Sequence, residues 1–288
     1  MRFSIGQYTT ARLPFAEDLR VYREGGSEGI GIDLGLKPLD PVEDLARFRD
    51  SGLVASFCFP AVNSVSAGLR ARGPVEPAQR VEAMIAGLHE LAPFEPVCVV
   101  FGAGPLLDRD AAEAWRFTVE GFKRVAREAA GLGLQLAIEP LHSTLGPSWS
   151  MLTDIPETMR LIDDVGEANV GLLFDVWHLW DTPDVHAHLE ANAERVVAVH
   201  IDDWRDPTRS WADRVLPGDG VADIVGFLRI LRNAGYDGWI EMEIFSDDGF
   251  IETRFEDSLW LRDPVELIRE GRERTEKLWA QAGAAQAV

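Results

Sequence analysis

Apolar and β-branched residues in this chain come in short runs, separated by longer segments in which apolar residues recur three or four positions apart. Short runs of this kind suit strands and the longer segments suit amphipathic helices, so the pattern reads as repeated strand–helix units. Eight runs predict strands: RFSIGQY (2–8), GIGIDL (29–34), LVASFCF (53–59), PVCVVFG (96–102), LQLAIEP (134–140), VGLLFDV (170–176), RVVAVHI (195–201) and GWIEMEIF (238–245). Between them, Val221, Ile224, Val225, Leu228 and Leu231 share one helical stripe. A second helix over about 111–130 turns Trp115, Val119, Phe122, Ala126 and Ala129 to one side. Asp40 before Pro41, and Thr153 or Asp154 before Pro156 and Glu157, are helix starts, and the glycines of AGLGLQ and NAGYDG are helix stops. Eight strands alternating with helices, with no linker or break in composition, predict one α/β domain over residues 1–288. The expected architecture is a closed (β/α)8 TIM barrel, with 281–288 (QAGAAQAV) as a frayed tail. An open doubly wound sheet is the competing architecture. It lacks support because no G-x-G-x-x-G follows the first strand, and the glycines of GIGIDLG fall inside a strand.

Composition narrows the function classes. The chain has 48 acidic against 28 basic residues, a formal net charge of −20, which repels a phosphate backbone and argues against nucleic acid as a partner. Its arginines are mixed with carboxylates, as in EDLARFRDSG and EGRERTEKLW, a pattern of solvated helix faces. Cys58 and Cys98 each lie within an apolar run, the setting of a small buried thiol, which fits a reducing compartment. The opening MRFSIGQYTT has no apolar stretch of signal-peptide length, and no run approaches the ~20 apolar residues of a membrane helix. A soluble cytoplasmic protein is expected, with no membrane or nucleic-acid partner and with homo-oligomerisation left open.

Chemistry is concentrated where strands end. In such a barrel the site lies at the carboxyl ends of the strands, and four late strands end in polar residues that interrupt apolar runs. These are Glu139 followed by His142, Asp175 followed by His178, His200 followed by Asp202 and Asp203, and Glu241 with Glu243. Residues two apart share a face, so Glu241 and Glu243 point the same way, as do His200 and Asp202. Inward carboxylates repel one another and are costly to desolvate unless a cation lies between them. One divalent metal held by two Glu, one Asp and one His among them answers that problem. The mixed oxygen and nitrogen set suits Mn²⁺, Mg²⁺ or Co²⁺ and also accepts Zn²⁺. A bland alternative exists for each residue: Glu139 as a solvated strand end, Asp203 as a loop residue or helix cap, and His89, His186 and His188 as surface histidines.

At these strand ends the sequence resembles the xylose-isomerase-like TIM barrel superfamily, which includes sugar phosphate isomerases and epimerases, ketose 3-epimerases, hydroxypyruvate isomerase and inosose dehydratase. LAIEPLH, FDVWH, VVAVHIDDW and YDGWIEMEIF resemble the segments that supply metal ligands, which implies Glu139, Asp175, His200 and Glu243. The resemblance further implies that His178 and Arg214, the latter in RVLPGDG, contact substrate oxygens, and that Glu139 and Glu243 double as the acid/base pair. His142, Glu241 and Trp204 are candidate substrate contacts. The segment PLHSTLGPSWSM departs from the ketose epimerases, and the stretch from His200 to Arg214 is longer than theirs.

The activity so implied is metal-dependent isomerisation or epimerisation of a small sugar or related hydroxycarbonyl compound by proton transfer through an enediolate. A dehydratase of the inosose or dehydroshikimate type needs nearly the same site. A metal-free sugar-binding barrel and a DNA-repair endonuclease are weaker readings, the latter because of the net charge and too few histidines for a three-metal cluster. The loop DDWRDPTRSWADRVLPGDG holds Asp202, Asp203, Asp206, Asp213 and Asp219 against Arg205, Arg209 and Arg214. That balance predicts an unphosphorylated substrate, with Trp204 or Trp211 offering an apolar face to a ring or else packing the loop.

Overall fold

The structure is a computed structural model that describes residues 1–68 and 71–284. Strands β1 (Arg2–Gly6), β2 (Gly29–Gly31), β3 (Val54–Ala55), β4 (Phe57–Cys58), β5 (Cys98–Phe101), β6 (Leu136–Ile138), β7 (Val170–Asp175) and β8 (Val196–Ile201) follow in order. After β8 come a two-strand ribbon, β9 (Asp203–Trp204) and β10 (Arg214–Val215), and the last barrel strand, β11 (Trp239–Met242). Helices α1 (Phe15–Glu24), α2 (Glu43–Ser51), α3 (Pro77–Leu91), α4 (Ala111–Gly131), α5 (Gly146–Trp149) and α6 (Ile155–Val165) lie between the earlier strands. They are followed by α7 (Val176–Leu179), α8 (Val185–Asn192), α9 (Ile224–Asn233) and α10 (Pro264–Gly283).

Nine strands pair in parallel in the order β3-β2-β1-β11-β8-β7-β6-β5-β4. The two ends of this sheet are consecutive pieces of one stave. Ser56 joins them, donating its N–H to Ile30 (2.9 Å) while its carbonyl accepts from the Cys98 N–H (3.2 Å). The expected strand 53–59 is therefore broken in hydrogen-bond pattern but not in path, and the sheet closes into eight staves.

Alternation along each stave divides the core in two. Phe57, Cys98, Val100, Ala137, Leu173, Ala198 and Trp239 form the plug inside the barrel, whereas Leu172, Phe174, Val199, Ile240 and Met242 pack outward beneath the helices. Because the period is two, Glu139, Asp175, His200 and Glu241 fall on the inner face that Ala137, Leu173, Ala198 and Trp239 begin.

Helix starts follow the sequence signals. Asp154 accepts from Glu157 N and Asp110 from Glu113 N, and Asp40 accepts from Val42 and Glu43 N. Three expectations are corrected. Asp223 caps α9 by accepting from Gly226 N, so Val221 precedes the helix and stays 49% exposed rather than joining its stripe. Helix α10 runs to Gly283, so 281–283 are helical rather than frayed, and 285–288 lie outside the described residues. Most staves are shorter than their apolar runs; β6 stops at Ile138 and β11 at Met242, which leaves Glu139 and Glu243 just beyond the ladder.

Candidate active site

His200 is the centre of the site. It is fully buried on β8, in register with Asp175 of β7 on one side and Glu241 of β11 on the other. Its Nδ1 lies 3.2 Å from Glu139 Oε1, 3.4 Å from Asp175 Oδ2 and 3.7 Å from Glu243 Oε2. Three staves thus deliver three carboxylates to one imidazole nitrogen. Burial opposes charge on this imidazole, but Glu243, Asp175, Glu139 and Glu241 together hold its pKa well above the usual value. Burial also raises Glu139, and it pushes Glu243 up to about 8.

Glu241 does not reach the cavity. It sits one layer below Glu243, wholly buried, where Oε2 accepts from Ser4 Oγ (3.1 Å) and from Ser56 Oγ, and Oε1 faces His200 Nε2 at 3.5 Å. Its expected role as a substrate contact is therefore replaced by one as a support for His200. Gly31 makes this possible, since a Cβ there would lie 2.2 Å from Glu241 Oε1.

His178 and Arg214 complete the floor. Asp175 Oδ1 accepts the backbone N–H of His178 at the start of α7, which turns this histidine toward the barrel axis. His178 Nδ1 accepts from His142 N (3.0 Å), which leaves the neutral ring's proton on Nε2; burial lowers its pKa to about 3. Arg214 returns to the site through the β9–β10 ribbon, in register with Trp204. Its Nη1 donates to Asp202 Oδ2 at 2.6 Å and lies 3.4 Å from Glu243 Oε2, with the guanidinium packed over the rings of Trp177 and Phe245. The longer chain between His200 and Arg214 is thus taken up by the ribbon.

Above these residues is a cavity of about 160 Å³ lined by Glu139, Glu243, His178 and Arg214 on its charged side. Tyr8, Asp33, Phe59, Asn63, Trp211 and Phe245 are among the residues on its other walls. His142 and Trp204 do not line it. They pack together at 4.6 Å between ring centroids, beside Trp177 and Trp180, and His142 faces Asp181 and Thr144. Their expected contact with substrate is not what the structure places there, since both are consumed in supporting the wall behind His178. Tyr8, Asp33 and Phe59 end the first three staves, so the strand-end rule that selects Glu139 applies to them too. Tyr8 and Phe59 carry no acid or imidazole to mark them, whereas Asp33, a carboxylate that interrupts the run GIGIDL, carries the same signal as Glu139 but lies outside the late strand ends.

The acidic loop also differs from expectation. Asp202 binds Arg214, Asp203 accepts from the N–H groups of Trp204, Gly218, Gly220 and Ala222, Asp213 binds Arg205 and Arg209, and Asp219 pairs with Arg274. Each is engaged in holding the loop, and none of the four lines the cavity.

The match to a family model covers residues 29–278, described as xylose isomerase-like TIM barrel. The chain belongs to that family. Within it, an inosose dehydratase of Klebsiella pneumoniae is 31% identical over 153 residues, 47% of this chain and 49% of that protein, so the chain matches about half the length of this relative. A structure from Sinorhizobium meliloti superposes with a TM-score of 0.82 at 27% identity over 96% of this chain and 98% of that one. The IOLI protein, whose crystal structure is titled as having a binding zinc atom, shares the fold at a TM-score of 0.79 and 17% identity, covering 99% of this chain and 100% of that one. No helix among the described residues is long and apolar enough to cross a membrane.

Proposed function

We propose that this xylose isomerase-like barrel is an isomerase or epimerase of a small, unphosphorylated polyhydroxy carbonyl compound, dependent on one divalent metal. The observation that carries the reading is the meeting of Glu139, Asp175 and Glu243 at His200 Nδ1. Atoms that each lie about 2.1 Å from one ion are separated by roughly 3–3.5 Å; Glu139 and Asp175 stand at that spacing from His200 Nδ1, at 3.2 and 3.4 Å, and Glu243 lies just outside it at 3.7 Å. Asp175 Oδ2 supports the fit further, because it is buried and aimed into the cluster, where among the described residues it has no well-formed hydrogen bond and faces His200 Nδ1 at 3.4 Å. Glu139, Asp175, His200 and Glu243 would hold the ion, Mn²⁺, Mg²⁺, Co²⁺ or Zn²⁺, which when bound supplies Lewis-acid stabilisation of negative charge on substrate oxygen.

The chain's own groups do the rest. Isomerisation or epimerisation removes a carbon-bound proton next to a carbonyl, and Glu139 and Glu243 are two carboxylates that line the cavity and are candidates to take and return it. His178 Nε2–H and Arg214 donate to substrate oxygens and oppose charge that develops on them. Asp202 fixes Arg214, and Glu241 fixes His200. With Glu139 and Glu243 committed to the ion they would hold, the described lining residues leave Asp33 against Arg214, which Asp202 already pairs, so no free side-chain cation there meets a phosphate dianion.

A dehydratase is the second reading, favoured by the identity to inosose dehydratases. It begins with the same proton abstraction and ends with loss of a β-hydroxyl. Incubation of free sugars, inososes and their phosphate esters with Mn²⁺ or Mg²⁺ in deuterated water tests both. Deuterium in a recovered isomer supports the isomerase, an enone absorbance supports the dehydratase, and preference for a phosphate ester overturns the neutral-substrate reading.

A further inference from the structure

The cavity is charged at its floor and aromatic at its mouth. Trp149 ends α5 after β6, and Trp211 lies in the turn between β9 and β10; their ring centroids are 6.0 Å apart. Trp211 continues to Phe245 at 5.5 Å, and Phe245 stacks on Tyr8 at 4.2 Å. All four residues line the cavity, yet Trp149 remains 41% exposed. Exposed aromatic surface at the rim of a concave site is a recognition feature, and here it continues without a break into the cavity wall.

This shelf is held in place. The Asp213 carboxylate, buried two residues beyond Trp211, accepts from Arg209 Nε (2.7 Å), Arg209 Nη2 (2.6 Å) and Arg209 N (3.0 Å), and pairs with Arg205 at 3.0 Å. Asp213 also bridges to Ser246, next to Phe245. A ring arriving at the mouth would meet a surface that is already ordered, so little entropy would be lost on binding.

The cavity is small. With Trp149 and Trp211 included in its lining, it measures about 160 Å³, below the usual range of roughly 300–1,000 Å³ for larger ligands, so one ring or a short polyol fills it and a second ring would extend outward over the exposed face of Trp149. A second ring on the same ligand would lie on Trp149 and Trp211, uncharged aromatic faces that suit a neutral ring. Resting on the reading of the floor given above, we propose that the site takes neutral two-ring glycosides: a polyhydroxy ring on the floor carrying a second ring, sugar or aryl, stacked on Trp149 and Trp211.

Calorimetric titration of the full chain with methyl β-D-glucopyranoside, phenyl β-D-glucopyranoside and cellobiose tests this, with saturation-transfer NMR locating the contacts. At least one two-ring probe should bind roughly three- to tenfold more tightly than the methyl glucoside, the scale of one aromatic contact. Saturation should be strongest on the second ring. A gain for cellobiose alone identifies a sugar, a gain for the phenyl glucoside alone an aryl group, and each supports the proposal. In W149A, and in W211F as the variant that keeps the loop packed, the affinity ratio should fall toward one. Equal affinities in the parent protein, no binding of any probe, or a ratio that survives both substitutions overturns it. These ratios need no turnover, so failure of the isomerase reading would appear separately, as absence of deuterium incorporation into any carbonyl sugar.

Discussion

Replacing Glu241 with Gln separates a support of the site from its ligands. Glu241 is wholly buried and presents two different oxygens: Oε2 takes the hydroxyl hydrogens of Ser4 and Ser56, and Oε1 faces only His200 Nε2, at 3.5 Å. If Nδ1 binds an ion, Nε2 carries the ring proton and needs an acceptor at Oε1. In the Gln variant the serine donors retain the carbonyl oxygen, so the amide NH₂ replaces Oε1 and two donors face each other. The imidazole must tilt or lose its partner, and losses of this kind typically weaken metal affinity by about 10- to 100-fold, or about 1.4–2.7 kcal/mol. Isothermal titration with Mn²⁺ and Zn²⁺ reads the change directly, and deuterium exchange on the accepted substrate should fall in parallel once metal is subsaturating. Metal affinity within twofold of the parent protein would refute the assignment of Glu241 as the group that orients His200. A loss equal to that of Glu243→Gln would refute the distinction between the two layers.

Glu243→Gln should lower turnover by about 100- to 10,000-fold even at saturating metal, since it removes both a ligand and a candidate base; steady-state rates at high Mn²⁺ check this. Metal at about 100 times its dissociation constant should raise the thermal midpoint by roughly 4–5 °C, reversed by chelator, and a midpoint indifferent to Mn²⁺, Mg²⁺, Co²⁺ and Zn²⁺ would refute the ligand set. Burial pushes Asp33 up to about 6 from 3.8, so the folded state holds this proton more tightly than the unfolded chain. Its contribution therefore favours the fold at about pH 4 and is lost as pH rises through 6. Asp33→Asn should consequently gain thermal stability relative to the parent across that window, and a difference that is flat with pH would contradict the burial of this carboxylate.

Much of this barrel was legible in its sequence because strand alternation and helical spacing are local properties of the chain. The apolar runs predicted eight staves, and Glu139, Asp175 and His200 each interrupt such a run at its carboxyl end, where a barrel of this kind carries its site. The same periodicity could not separate Glu241 from Glu243. They share a face, and only the shear of the closed barrel puts one beside Ser4 and Ser56 and the other at the cavity. Nor could residue type assign His142 and Trp204, which belong to an aromatic wall assembled from α7, the ribbon and the loop after β6. The acidic loop shows the limit most clearly. Its sequence gives a count of charges, but only the folded ribbon decides that Asp202, Asp203, Asp213 and Asp219 are spent on arginines and amides while Trp211 and Arg214 are brought to the cavity, because partner choice among charges depends on distances between segments far apart in the chain.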